Sequence, residues 1–200
     1  VAAPGRRSAD PGHLGHRRWP VKRATAAVLI ALALALPARA GAEFEGWVKR
    51  HKAKGTKVSA GLWDLATGKA VEGHQVDQAL VPASTTKVMT LLLAVEMGGD
   101  LDRMVTVPRA AGDVPHDSSL VPVVPGEEMP LRALLYGLMI RSGNDAANAV
   151  ADLLSGSVDA FVARMNEKAK ELGMDGTHFV NPHGYHDDAH YTTARDMAVL

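Results

Sequence analysis

Apolar and polar residues alternate near the start of the chain in a pattern that predicts a β-hairpin. Residues 57–64 place Val58 and Leu62 on one face, and residues 69–74 return after a turn at 66–68. Alternation on both sides of a glycine-containing turn is typical of paired antiparallel strands.

Besides a helix at the end of the sequence, which is described below, five helices are predicted around that hairpin, one before it and four after it. Each is bounded by proline, serine or glycine residues of the kind that start and stop helices. They cover residues 43–52, 83–97, 131–140, 145–154 and 158–172. A short strand is also predicted over 104–107. The helix that begins after Pro82 is apolar on nearly every side beyond its first turn, which predicts that it is buried.

Lys87 is the one cation in this apolar helix, and it lies three residues after Ser84. Residues at this spacing share a helix face. A lysine among apolar side chains tends to lose its charge and act as a base, and such a base converts a serine hydroxyl into a nucleophile. The helix N-terminus adds a positive field near Ser84. The alternative is an ordinary serine cap with a solvated lysine.

A second polar motif, Ser142-Gly143-Asn144, separates two apolar helices. These residue types are common in ordinary turns, which is one interpretation. The functional interpretation is that the turn directs a hydroxyl and an amide into a cleft. Ser142 would then relay a proton between Lys87 and a leaving group, and Asn144 would hold Lys87 and a substrate carbonyl.

Composition narrows the class of protein. The 200 residues are 46% hydrophobic, which is enough for one ordinary core. The 22 acidic and 22 basic residues balance, so the sequence shows no basic footprint for nucleic acid. The chain has no cysteine, which excludes disulfides and thiol chemistry.

Residues 1–40 are predicted to be an N-terminal extension that ends in a secretory signal peptide. Basic residues at 17–23 precede an apolar run, Ala24 to Leu36, and then the cleavage pattern Ala38-Arg39-Ala40. These are the three parts of an export signal. We therefore expect the mature chain to begin near Gly41, on the outer side of the cytoplasmic membrane.

The two motifs together are more specific than either one alone. Ser84-x-x-Lys87, followed after about 55 residues by Ser142-x-Asn144, has the order found in penicillin-recognising serine acyl-transfer enzymes. The surrounding sequence resembles the serine-type D-alanyl-D-alanine carboxypeptidase family, the low-molecular-weight penicillin-binding proteins, from about Trp47 to Leu200. The segments that carry this resemblance are 82–90, 142–147, 165–166, 172–174, 177–184 and 192–196.

The resemblance implies a β-lactamase/transpeptidase-like serine-acylase fold of the α/β class, with a helical lobe beside an antiparallel sheet. It implies that Ser84 attacks the bond between the terminal D-alanines of peptidoglycan stem peptides, and that β-lactams acylate the same serine. Lys87 would be the general base, Ser142 the proton shuttle and Asn144 a substrate-binding residue. No cofactor or metal is implied.

One element of the family pattern is missing after Ser142, a Lys-Thr-Gly triplet on a later strand. The last residues also predict a helix that starts with a capping box, Thr193 and Asp196, and has no end signal. We therefore expect residues 41–200 to be the N-terminal part of a longer catalytic domain, inactive alone. Membrane association through a segment beyond Leu200 stays open.

Three alternatives remain at this point. A class A β-lactamase would need a deacylating glutamate, and Glu167 and Glu171 fall on a predicted amphipathic helix instead. A penicillin-binding sensor with slow turnover would keep the acylating serine. A metal-binding protein would use the histidine cluster of His183, His186 and His190.

Overall fold

The computed structural model describes residues 41–53, 55 and 57–200. Helix α1 occupies 41–52, and the predicted hairpin follows as β1, Ala60–Asp64, and β2, Lys69–His74. The two strands are antiparallel, with a register shift between Leu62 and Trp63. The predicted signal peptide lies outside the described residues.

The helices after the hairpin lie close to their predicted positions. They are α2, Lys87–Met97; α3, Leu131–Ile140; α4, Asn144–Ser155; α5, Val158–Glu171; and α6, Ala194–Val199. The first turn of the helix predicted after Pro82 is a separate 3-10 turn, Ala83–Thr86, that leads directly into α2. The helix ends at Gly98, as the glycine signal predicts.

A second, two-stranded sheet pairs β3, Met104–Thr106, with β4, Glu128–Pro130. The strand at 104–107 was predicted, whereas β4 was not. β4 is three residues long and ends in a proline, so the sequence pattern of a strand is nearly absent there. Pro130 is also the N-cap of α3, so the strand continues directly into the helix.

Helix α2 lies between two apolar clusters. One joins Ala94 of α2 to residues of α3, α4 and β3, and the other joins Met89 and Leu93 to α5 and Phe179. The prediction of burial on nearly every side was wrong for one edge of α2, where Val95 is 55% exposed. The neighbouring helices cover the opposite side, and this fixes the position of Lys87.

Two of the predicted helix caps form. Ser157 Oγ accepts the Ala160 N–H at 3.1 Å, and Thr193 Oγ1 accepts the Asp196 N–H at 3.0 Å. The capping box at Thr193 is only half formed, because the Asp196 carboxylate accepts bonds from Gly176 N and Thr177 Oγ1. A long-range pairing therefore replaces the local one. No helix in the described part of the chain is both long and apolar enough to cross a membrane.

Candidate active site

Ser84 lies in the 3-10 turn at the start of α2, with its side chain exposed to solvent. The turn is braced by Thr85, whose Oγ1 donates to the Pro82 carbonyl at 2.6 Å. Ala83 has a φ of +49°, in the left-handed region that non-glycine residues seldom adopt. A strained backbone beside an accessible hydroxyl is a frequent feature of functional sites.

Lys87 is almost completely buried, with 2% of its surface exposed. Its Nζ donates to Ser84 Oγ at 3.2 Å, to Asn144 Oδ1 at 2.8 Å and to the His183 carbonyl oxygen at 2.8 Å. The last two partners are carbonyl oxygens, which only accept. A neutral amine can therefore give its two protons to these oxygens and keep its lone pair toward Ser84, and in that state the Ser84 hydroxyl donates to Nζ instead of accepting from it.

Burial lowers the pKa of Lys87 from 10.5 to about 8, and the negative charge of Asp145 opposes that shift. The Asp145 carboxylate accepts the backbone N–H groups of Val121, Val123 and Ala146, so it is held near the start of α4. The lysine thus loses its proton far more easily than a solvated lysine does. This is the property required of a general base near neutral pH.

Ser142 adopts a φ of +57°, and its Oγ donates to Ser84 Oγ at 2.8 Å. The next position, Gly143, has no room for a side chain, because a Cβ there would lie 2.3 Å from Val121 Cγ2. Asn144 is buried, and its Nδ2 donates to Ser118 Oγ at 3.1 Å while its Oδ1 accepts from Lys87. The predicted site residues therefore lie together, with Ser142 in contact with Ser84.

The loop at 181–184 also positions Lys87, a role that its sequence does not predict. The His183 carbonyl accepts from Lys87, and the neighbouring Pro182 carbonyl accepts from Thr90 Oγ1 at 2.6 Å. The Asn181 side chain accepts the Gly184 N–H at 2.7 Å and so closes the loop. Segment 177–184 carries part of the family resemblance, but a main-chain acceptor leaves no side-chain signal in a sequence.

Two histidines of the predicted cluster are buried beside the site, and the third is exposed. Burial lowers the pKa values of His183 and His190 to about 4, so both are neutral at pH 7. His190 Nδ1 accepts the Val180 N–H at 3.3 Å, which leaves the ring proton on Nε2, 3.0 Å from Thr86 Oγ1.

The histidine cluster does not form a convergent ligand set. His186 lies at the surface near Asp188, away from the buried pair. Among the residues that the structure describes, no group of three or more histidine, aspartate or glutamate side chains is arranged to hold a metal ion. The metal-binding alternative therefore has no support in these contacts.

The glutamates considered for a β-lactamase lie on the surface of α5. Glu167 pairs with Arg164, and Glu171 pairs with Lys168 Nζ at 2.8 Å. Both pairs follow the i,i+3 spacing of one helix face, so these carboxylates form ion pairs within α5 rather than at the Ser84 site.

Acylation of the protein is expected to depend on pH through Lys87. Below a pKa of about 8 the amine carries its proton, so the acylation rate should rise about tenfold per pH unit and level off above pH 8. The free energy of unfolding should also increase with pH, between about pH 8 and 10.5. In that range the folded state has released the Lys87 proton and the unfolded state still binds it. The measurement is the rate constant for labelling by a fluorescent penicillin from pH 6 to 10. A flat profile would contradict this assignment.

Gly184→Ala is expected to displace the loop that holds Lys87. A Cβ at Gly184 would lie 1.7 Å from the Ala83 carbonyl oxygen, and the φ of +82° adds strain. We expect a lower Tm and acylation slowed about tenfold or more, because the His183 carbonyl would move away from Nζ. The matched control is Gly173→Ala, with φ +73° and nothing within 4 Å, which costs only about 1–2 kcal/mol of strain. Equal effects of the two variants on acylation would show that the close approach is unimportant.

Known proteins match most of this chain. A family model described as D-alanyl-D-alanine carboxypeptidase, peptidase S11, matches residues 48–200. The D-alanyl-D-alanine carboxypeptidase DacF of Bacillus subtilis is 42% identical over 155 residues, which are 75% of this chain and 38% of DacF. DacC of Escherichia coli is 38% identical over 147 residues, 70% of this chain and 37% of DacC. The chain thus spans well under half the length of these curated relatives.

A solved structure, penicillin binding protein 6B from Escherichia coli, has a TM-score of 0.66 and 35% identity. The match covers 72% of this chain and 49% of that protein. This similarity confirms the predicted serine-acylase fold. The family match covers residues 48–200 and includes both motifs of the site. The chain therefore belongs to the D-alanyl-D-alanine carboxypeptidase family, peptidase S11.

Proposed function

We propose that the protein is a serine D-alanyl-D-alanine carboxypeptidase that removes the terminal D-alanine from peptidoglycan stem peptides. The observation that carries the proposal is the buried Lys87 Nζ, 3.2 Å from the exposed Ser84 hydroxyl and fixed by two carbonyl oxygens. The names of the relatives supply the substrate class. The geometry supports acyl transfer to a serine.

In the first step, Ser84 Oγ attacks the carbonyl carbon of the penultimate D-alanine while its proton moves to Lys87 Nζ. The lone pair of the neutral amine faces this hydroxyl because the other two directions are occupied. The tetrahedral intermediate carries an oxyanion, for which the Ser84 N–H at the start of the helix supplies one donor. Asn144 is proposed to hold the substrate amide in register.

In the second step, the C–N bond of the intermediate breaks and the leaving amine takes a proton. Ser142 Oγ, 2.8 Å from Ser84 Oγ, is the proposed shuttle that carries the proton from Lys87 Nζ to this amine, which leaves Lys87 neutral again. D-Alanine leaves, and the peptide remains as an ester on Ser84. Water then attacks the ester carbonyl while Lys87 accepts a proton from that water. The bond between the carbonyl carbon and Ser84 Oγ breaks, and Lys87 returns the proton to Ser84 Oγ, which regenerates the hydroxyl. A β-lactam would open on Ser84 in the same way and leave a long-lived ester.

The proposed location is the outer side of the cytoplasmic membrane, where peptidoglycan lies. The predicted signal peptide of residues 1–40 supports export, and the family is named for action on a D-alanyl-D-alanine end, which is the end of peptidoglycan stem peptides. Sequencing the N-terminus of the protein recovered outside the cytoplasm tests this proposal. Finding the segment before Gly41 intact on a cytoplasmic form would contradict it.

The function is tested with the protein expressed from its complete gene. Release of D-alanine from a pentapeptide ending in D-Ala-D-Ala measures turnover, and mass spectrometry of the penicillin-labelled protein locates the ester. We expect both D-alanine release and a single labelled peptide that contains residue 84. Labelling without D-alanine release would favour a penicillin-binding sensor, and rapid hydrolysis of the penicillin would favour a β-lactamase.

A further inference from the structure

Two loops that flank the site are joined by one side-chain hydrogen bond. The Tyr185 hydroxyl donates to Asp117 Oδ1 at 2.9 Å, although the two residues are 68 positions apart. Tyr185 belongs to the loop after Pro182, and Asp117 to the proline-rich segment before α3. The proposed mechanism does not use either residue.

Each loop positions one of the two carbonyl acceptors of Lys87. The loop with Tyr185 contains the His183 carbonyl, and the loop with Asp117 bonds to Asn144. On one side, Asn144 Oδ1 accepts from Nζ, while Asn144 Nδ2 donates to Ser118 Oγ and the Asn144 N–H donates to the Ser119 carbonyl at 2.8 Å. Ser118 is the next residue after Asp117. This first arm therefore runs from Lys87 through Asn144 to Asp117.

The second arm runs from Lys87 to Tyr185. The His183 carbonyl accepts from Nζ, and His183 Nδ1 accepts the Tyr185 N–H at 3.1 Å. Asn181 Nδ2 donates to the Tyr185 carbonyl at 2.9 Å, which fixes the backbone at this residue. The Tyr185–Asp117 bond joins the ends of the two arms and closes a ring of contacts around Lys87.

We propose that Tyr185 and Asp117 are positioning residues that close this ring and hold the two carbonyl acceptors of Lys87 in place. This inference rests on the proposed function, because it assigns the ring to the general base of that reaction. Neither residue touches the reacting atoms. They act through Ser118 and Asn144 on one side and through His183 on the other.

The reason that the ring matters is the direction of the lysine lone pair. A neutral amine directs its lone pair to Ser84 only while both of its protons are engaged elsewhere. If one acceptor moves away, the amine can rotate and water can reach it, which favours the charged form. Tyr185 is 37% exposed, so the Tyr185–Asp117 bond lies at the solvent side of the ring, where water would enter.

Several charged and titratable groups lie near the ring. The Asp145 charge favours the protonated lysine, and the neutral His183 ring lies on the opposite loop. His116 Nδ1 lies 3.8 Å from Asp117 at the surface. The bond to Asp117 raises the pKa of Tyr185, which keeps the hydroxyl protonated as a donor. The proposal therefore assigns the rising limb near pH 8 to the Lys87 amine at the centre of the ring.

Tyr185→Phe tests the proposal because it removes only the hydroxyl that closes the ring. We expect penicillin acylation at pH 7 to slow about three- to tenfold, and the rising limb of its pH profile to move about half a unit or more to higher pH. Asp117→Ala should act in the same way, and the double variant should be no worse than either single one. Asp117→Asn keeps an acceptor for the Tyr185 hydroxyl, so it should keep most of the acylation rate that Asp117→Ala loses.

Tyr191→Phe is the matched control, because Tyr191 is 39% exposed and lies outside the ring. It should leave the pH profile in place. A Tyr185→Phe protein with the wild-type profile, or with only a lower Tm, would overturn the inference, since a merely structural role would not move the limb. A wild-type protein that neither binds penicillin nor releases D-alanine would instead overturn the proposed function.

Discussion

Ser84→Ala is expected to abolish both covalent penicillin labelling and D-alanine release. The variant removes the hydroxyl that lies within hydrogen-bonding distance of both Lys87 Nζ and Ser142 Oγ. Without it no ester is expected to form at this site, although Lys87, Ser142 and Asn144 remain. The measurement is mass spectrometry of the protein after incubation with a labelled penicillin, together with an assay for free D-alanine.

The matched control is Ser157→Ala, the same chemical change at the N-cap of α5, outside the site. It should lower stability by about 1 kcal/mol and leave labelling unchanged. Because Ser84 is exposed at the surface, its replacement should cost less stability than the cap does. Label retained on the Ser84→Ala protein, for example on Ser142, would show that the nucleophile has been misassigned.

Local signals in the sequence were sufficient to predict most of the helices and the pairing of β1 with β2. Proline and glycine mark the ends of α2 and α3, and Ser157 marks the start of α5. These signals work because each acts within one turn of the chain. The spacing of Ser84 and Lys87 belongs to the same class of information, since both residues lie on one continuous segment.

Contacts between distant segments could not be predicted in the same way. The His183 carbonyl contacts Lys87 from 96 residues away, and a backbone acceptor is present at every residue. The strand β4 was missed because its pairing with β3, rather than its own three residues, makes it a strand. Asp196 was assigned to a local cap, but the fold brings Gly176 and Thr177 to its carboxylate.

The exposed edge of α2 has a related cause. Its apolar composition predicts burial, but burial depends on which neighbours the fold supplies. In the described part of the chain, α3, α4 and α5 contact α2, and Val95 remains open to solvent. Composition thus identified the helix, while tertiary packing decided that the face carrying Lys87 is buried and the face carrying Val95 is not.

Lys87→Met is expected to slow acylation by about 10²–10⁴-fold, because the nucleophile remains while its base is lost. Methionine has a length similar to that of lysine and no charge, so it fits the buried space. The variant leaves Asn144 Oδ1 and the His183 carbonyl without their donor, at about 1–3 kcal/mol each. It also removes the cost of burying an ammonium group, so the change in Tm should be moderate.

The sharper readout for Lys87→Met is the shape of its pH profile. If the limb near pH 8 belongs to the lysine, the residual acylation of the variant should lose that limb altogether. The control is Lys168→Met on α5, which breaks the ion pairs with Glu96 and Glu171 and leaves the limb in place. A Lys87→Met protein that is folded, acylates at the wild-type rate and keeps its pH limb would assign the base to another group. Lys87 would then only hold the Asn144 and His183 loops together, because a structural cation can satisfy two carbonyl oxygens without accepting a proton.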